Sequence, residues 1–279
     1  MTLFDPPEAE VPPGPTRRVR LIVAYDGSAF HGFAPNAGVP TVGGTLAEAL
    51  GRQLGRPVEL TCAGRTDRGV HALGQVVTFD APADRVAEPA DLAALARAVN
   101  RMCGPEVAVR DPTVVEGDVD ARFSARARRY RYRVWNHPEP DPFTARLAWH
   151  VDRPLSLPAL RLGCDPLIGE HDFSSFCRRP KARDGAEVSL VRRVTEAAWH
   201  DDGGGHLRFE IEASAFCHQM VRSIVGTLVA VGLGRMSAGE VRSALRARDR
   251  SRAGDLAPPH GLTLWTVRYD GWSSVPDGA

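Results

Sequence analysis

The order in which apolar periodicities follow one another constrains this chain most, because the same succession occurs twice. VRLIVAY (19–25) is a short apolar run of strand type that ends in the turn residues Asp26 and Gly27. Thr45 and Glu48 form a capping pair before LAEALGRQLG, whose leucines at 46, 50 and 54 line one face of a predicted helix. VELTC (58–62) and QVVTFD (75–80) read as strands, DLAALARAVNRM (91–102) as a helix and VAVRD (107–111) as a strand. The succession β-α-β-β-α-β then starts again. ARARRYRYRVW (125–135) alternates as a long strand, a helix starts after Ser156, and VRRVTEAAW, DDGGG and HLRFEIEA make a hairpin. A long helix follows from Cys217 to Gly234, a short one after Ser237 and Glu240, and LTLWTVRY (262–269) closes the sheet.

Two such units in tandem predict an α+β fold of two ferredoxin-like halves whose antiparallel sheets abut into one platform with helices on one face. The length, 279 residues, suits either one large domain or two of about 140. Composition places tails at residues 1–16 and 272–279, leaving halves at 17–115 and 116–271. Five scattered cysteines without a CxxC predict neither a disulfide framework nor a zinc ribbon, and so a reducing compartment. The first twenty residues lack an apolar core and no later stretch reaches 18 uninterrupted apolar residues. Neither secretion nor a membrane span is expected, and a cytoplasmic location is.

A formal net charge of +1 argues against a nucleic-acid partner, but the charge is unevenly spread. Residues 120–135 carry six arginines against Asp120, residues 178–193 six basic groups against Asp184 and Glu187, and residues 242–252 five arginines against Asp249. On a strand through 125–135, Arg129, Arg131 and Arg133 project to one face, with Arg128, Tyr130, Tyr132 and Val134 on the other. Charge for phosphates interleaved with rings for stacking suits a groove for unpaired nucleotides. A strand with a solvated arginine face and half-buried tyrosines reads equally well.

Two further stretches carry chemistry. CAGRTDRGVHALGQ (62–75) sets Arg65, Thr66, Asp67, Arg68 and His71 among glycines between two apolar strands. It is either a salt-bridged turn or a loop that presents an ionised carboxylate as nucleophile or base. In FCHQMVRSIVGTLVAVG (216–232), Arg222 is surrounded by apolar residues on a predicted helix. A buried guanidinium needs an acid, and Asp67 is one candidate among several. His218 reads either as a ligand or as a satisfied polar group. There is no HExxH and no P-loop, and Gly203–Gly205 sit in a hairpin turn, so metalloprotease, nucleotide-hydrolase and dinucleotide readings fail.

Taken in order, YDGSAFHGF (25–33), AGRTDRGVHALGQVV (63–77), ARFSARARRYRYRVWN (121–136), HDFSSF (171–176) and AFCHQMVRSIVG (215–226) resemble the tRNA pseudouridine synthase A family. The resemblance spans Arg17 to Tyr269. It implies isomerisation of uridines at positions 38–40 of the tRNA anticodon stem-loop, with no cofactor and no metal, by a homodimer. It places Asp67 as the catalytic aspartate, Tyr130 as the tyrosine that contacts the target uridine, and Arg222 as the partner of the aspartate. Arg65 and His71 fall in the same motif, and Arg128 and Arg129 join them as substrate-binding residues. Phe33, Ala34, Pro35 and Asn36 stand where the family commonly has Trp-Gln, and TVGG (41–44) where a glutamine is usual. The alternative from another class is a non-catalytic RNA-binding or RNA-folding protein that uses the same basic groove.

Overall fold

The computed structural model describes residues 14–117, 119–178 and 188–276. Its frame is one 11-stranded mixed sheet covered by helices. In the first half, β1 (Thr16–Tyr25) lies between β3 (His71–Pro82) and β4 (Val107–Val114), antiparallel to both. The alternation of β1 sends Val19, Leu21 and Val23 into a core shared with the apolar faces of α1 (Val42–Leu54) and α2 (Pro89–Cys103). In the second half the order is β10 (Leu262–Tyr269), β5 (Ala127–Asn136), β9 (His206–Ala213), β8 (Val191–Gly203) and β7 (Gly169–Asp172). Helices α3 (Leu157–Cys164), α4 (Met220–Gly232) and α5 (Ala238–Ala247) pack with this half. Two short strands join the sides of the sheet: β2 (Thr61–Cys62) pairs with β3, and β6 (Trp149–Val151) with β5.

The run 262–269 does not close the sheet at an edge. β10 is antiparallel to β5 and makes two parallel rungs with β3, Thr263 to His71 and Leu264 to Ala72, so it is the seam between the halves. On the same side of β3, β2 occupies Thr78 and Val77. The connection 63–70 therefore emerges at the seam.

Three local expectations are displaced. Helix α1 begins at Val42, with its cap four residues before Thr45: the Thr41 hydroxyl accepts from the Gly44 amide. The cause is close packing: a Cβ on Gly43 would stand 2.6 Å from the Phe33 carbonyl oxygen, so the glycine at the first turn lets the helix reach that loop. Helix α4 begins at Met220 rather than Cys217, because Gln219 adopts φ of 65°. The expected tail at 272–279 is packed at its start: β11 (Trp272–Ser273) pairs with β10, the Ser274 hydroxyl donates to the Gly74 carbonyl, and Val275 is buried. Residues 1–13 and 277–279 lie outside the described residues.

The turn after β1 is pressed against the 63–70 connection. A Cβ on Gly27 would lie 2.0 Å from the Val70 carbonyl oxygen, a distance no backbone tolerates. Gly27→Ala is expected to destabilise the protein by about 2 kcal/mol, the cost of forcing a methyl into close-packed backbone. A urea unfolding midpoint equal to that of the unaltered protein would show that the two segments separate freely.

Candidate active site

The 63–70 connection is fixed from both sides by residues of the first half. The Gln75 side-chain amide donates to the Gly64 carbonyl at 2.6 Å and accepts from the Gly64 amide at 3.3 Å. Below it the Tyr25 and Thr66 hydroxyls meet at 2.8 Å, and the Phe33 amide donates to the Thr66 carbonyl at 3.1 Å. Past the aspartate, the Val70 amide donates to the Asp67 carbonyl and the Gly69 amide to that of Phe30. The segment 25–33 thus wraps the loop, and Asp67 is left as a carboxylate on a fixed backbone with 27% of its side chain exposed.

Two side chains from the second half, the Arg222 guanidinium and the His218 imidazole, converge on that carboxylate. Arg222, at the start of α4, places Nη1 3.8 Å from Oδ2, and His218 places Nε2 3.3 Å from Oδ1. The arginine is only 12% exposed and is steadied by donation from Nε to the Ala257 carbonyl at 2.7 Å. Burial holds its guanidinium below the usual arginine range, and the Asp67 charge works in the opposite direction. At 3.8 Å the pair attracts through charge without a hydrogen bond, so the carboxylate oxygens keep lone pairs for a substrate.

Tyr130 on β5 stands on the same side. Its hydroxyl would lie 3.7 Å from a Cβ built on Gly64, and its ring meets Phe216 edge-on with centroids 5.0 Å apart. The hydroxyls of Tyr25, Tyr132 and Tyr269 bond to Thr66, the Pro258 carbonyl and the Ala121 carbonyl. Among the described residues the Tyr130 hydroxyl has no such partner, and burial raises its pKa and keeps it a neutral phenol. The site therefore combines a fixed carboxylate, a guanidinium and an imidazole beside it, and an unpaired phenol at the seam of the sheet. Arg65, next to Ala63 and Gly64, is exposed at its rim.

The other residues singled out from sequence lie elsewhere. Arg128 is buried, and all five of its N–H donors bond to backbone: Nε and Nη2 to Ala63, Nη2 also to Arg122, and Nη1 to Ala125 and Ser214. None remains for a phosphate, so Arg128 ties the start of the 63–70 connection to the turn before β5 and to the segment after β9. Arg129 points to the opposite face of the sheet, where Glu196, Glu210 and Glu212 pair with it. His71 is buried, with Nδ1 3.1 Å from the Gly27 amide and from Asp26 Oδ1, and Nε2 3.1 Å from the His260 carbonyl. It braces the loop from behind and does not reach the carboxylate.

The basic stretch 120–135 is largely neutralised within the fold. Besides Arg128 and Arg129, Arg126 pairs with Asp270, and Arg131 pairs with Glu210 while lying 3.6 Å over the Trp265 ring. The alternation showed which side chains share a face, but the partner glutamates come from β8 and β9, which local sequence does not place beside β5. Of the stretch 178–193, residues 179–187 lie outside the described residues. The stretch 242–252 remains an exposed row, of which Arg248 pairs with Asp172.

The cysteine expectation is corrected. Cys177 and Cys217, 40 residues apart, form a disulfide with a Cα separation of 5.9 Å. Cys177 follows a one-turn 3-10 helix, Ser174–Phe176, whose buried phenylalanine places it under the start of α4. Spacing along the chain carries no sign of this contact. The sequence leaves His218 open between a ligand and a satisfied polar group; the left-handed turn at Gln219 follows it, and its Nε2 lies beside Asp67 Oδ1.

A family model described as tRNA pseudouridine synthase matches residues 164–270. Over 93% of this chain and 95% of its own length, a protein named tRNA pseudouridine synthase A from Dechloromonas aromatica is 42% identical. Proteins of the same name from Frankia casuarinae and Bacillus subtilis are 43% and 38% identical over 90% and 91% of this chain, and over 89% and 99% of their own lengths. A chain in the crystal structure of a Cbf5-Nop10-Gar1 complex is similar at a TM-score of 0.35 and 14% identity, over 76% of this chain and 45% of that one, too slight a likeness to argue from. No helix among the described residues is long and apolar enough to cross a membrane.

Proposed function

The chain belongs to the tRNA pseudouridine synthase A family, and from that premise we propose that it isomerises uridines at positions 38–40 of the tRNA anticodon stem-loop to pseudouridine with Asp67 as the essential carboxylate. The observation that carries this assignment is the meeting of Asp67 with Arg222 and His218 beside the unpaired Tyr130 hydroxyl. The reaction breaks the N-glycosidic bond, turns the uracil within the site and joins C5 to C1′. Asp67 acts on the sugar, as nucleophile or as base, and both roles require its ionised form. Arg222 supplies positive charge that favours that form, and the His218 imidazole stands on its other side. The uridine must leave the stem to reach the carboxylate, at a cost of a few kcal/mol that contact with Tyr130 offsets. Arg65 at the rim and the exposed arginines 242, 246, 250 and 252 are the phosphate contacts.

The two halves act as tandem ferredoxin-like units, 17–115 and 116–271. Support comes from the strand orders β4-β1-β3 with β2 on β3, and β10-β5-β9-β8, which follow one pattern. The protein works in the cytoplasm as a homodimer, in which a two-fold axis doubles the basic row into a longer tRNA track. Light scattering at micromolar concentration is expected to give twice the chain mass; a fully active monomer would remove this part of the reading.

The test of the activity is release of tritium from tRNA carrying 5-tritiated uridine. Only formation of the bond from C5 to C1′ obliges the C5 proton to leave. Tritium release with pseudouridine in the product supports the assignment, free uracil would mark a hydrolase, and binding without either would mark an RNA-binding protein.

A further inference from the structure

We propose that Cys177 and Cys217 are a reversible redox site whose disulfide braces the His218 side of the active site, so that the oxidised protein is the faster enzyme. The inference rests on the reading of Asp67 as the catalytic carboxylate. Its geometric basis is a difference in anchoring across the bond. On one side, Phe173, Phe176 and Cys177 are buried, and the Ser175 hydroxyl donates to the Ala244 carbonyl at 2.6 Å and accepts from the Asp249 amide at 2.8 Å. On the other, residues 214–219 belong to neither β9 nor α4 and include a non-glycine residue with φ of 65°. Left-handed backbone at such a residue is strained and persists only where its surroundings enforce it. The contacts that hold it are Arg128 and the Arg193 carbonyl at Ser214, Phe216 against Tyr130, His218 against Asp67, the Met220 and Ser223 amides to the Cys217 and Gln219 carbonyls, and, across the bond, the Arg178 amide to the His218 carbonyl and the disulfide. The last two both tie this segment to the firm side, one residue apart.

The segment carries Phe216, which backs Tyr130, and His218, which meets Asp67, and it leads into Arg222. Opening the disulfide frees the backbone at the residue next to His218. Displacements of about 1 Å at a catalytic group lower rates by up to two orders of magnitude. The Cys217 side chain is half-buried whereas Cys177 is fully buried, so an entering thiolate attacks the Cys217 sulfur. The Cys177–Cys217 bond breaks, Cys177 leaves as a thiolate and takes a proton, and a second thiol displaces the first from Cys217. The balance is one protein disulfide and two low-molecular-weight thiols giving two protein thiols and one low-molecular-weight disulfide; oxidation is the reverse. The three other cysteines do not compete. Burial pushes the Cys62 thiol up to about 11 and the Cys164 thiol up to about 12, and also raises that of Cys103.

The experiment equilibrates the full chain in mixtures of reduced and oxidised glutathione, maps the Cys177–Cys217 peptide pair by mass spectrometry after alkylation, and measures tritium release on the same samples. Expected are a disulfide fraction that rises with oxidised glutathione, and a kcat that rises with it by about three- to tenfold while KM moves less than about twofold. Cys217→Val and the double variant Cys177→Ser/Cys217→Ser should have the kcat of the reduced protein and ignore the glutathione ratio. A kcat that is constant or falls as the disulfide forms, or a disulfide that forms in none of the mixtures, overturns the proposal. Asp67→Asn run in parallel separates the two readings: activity there would sink the assignment of the carboxylate, while the peptide mapping would still report the redox site.

Discussion

Asp67→Asn is expected to lower tritium release from 5-tritiated tRNA by at least about 10³-fold while tRNA is still bound, the loss typical when a nucleophile or acid–base group is removed. The amide matches the carboxylate in size, and the backbone bonds at Thr66, Asp67 and Gly69 are made by main-chain groups the substitution does not touch. What disappears is the charge between Arg222 and His218. A filter-binding affinity close to that of the unaltered protein would assign the loss to chemistry. Turnover within about tenfold of normal would place the reacting carboxylate elsewhere.

The largest expected effect on stability comes from Arg128→Met. Four backbone carbonyls, on Ala63, Arg122, Ala125 and Ser214, accept from this one buried guanidinium. A buried carbonyl without a partner costs ~1–3 kcal/mol, and because only the Ala63 carbonyl is fully enclosed while the other three are partly open to water, the loss in urea unfolding is about 3 kcal/mol. Arg128→Lys, with three donors in place of five, should recover only part of it. A loss below about 1 kcal/mol would show that water replaces the guanidinium, and that the three segments do not depend on it.

Much of the frame was legible because it rests on local periodicity. The alternation at 125–135 is β5, the glycines after Asp202 turn the hairpin from β8 to β9, and the capping pair Ser237 and Glu240 opens α5. The site was legible through its motifs, and the structure brings Asp67, Arg222 and Tyr130 together at one side of the seam, with Arg65 at its rim. Hidden were the features that depend on which distant backbone arrives. Arg128 and Arg129 are neighbours in sequence and both basic, yet one is enclosed by carbonyls and the other by carboxylates on the opposite face. The alternation puts them on opposite faces, but nothing within a window of a few residues says which distant groups meet each one. The same holds for Cys177 and Cys217, whose meeting depends on how the turn at 174–176 packs beneath α4.

The position of β10 has a consequence for the order in which the molecule comes into being. Among the strands of the sheet path it is the last to leave the ribosome, yet its place is in the middle, between β3 and β5. Until residues 262–269 emerge, the edge of β3 at His71 and Ala72 and that of β5 at 127–132 lack their partner strand, the first beside the loop of Asp67 and the second carrying Tyr130. The pairings that join them span nearly two hundred residues, the slow non-local kind that comes late in folding. Asp67 and the side chains that face it from the second half therefore meet only when synthesis of the sheet is complete, and a partly made chain carries the two sides of the candidate site apart.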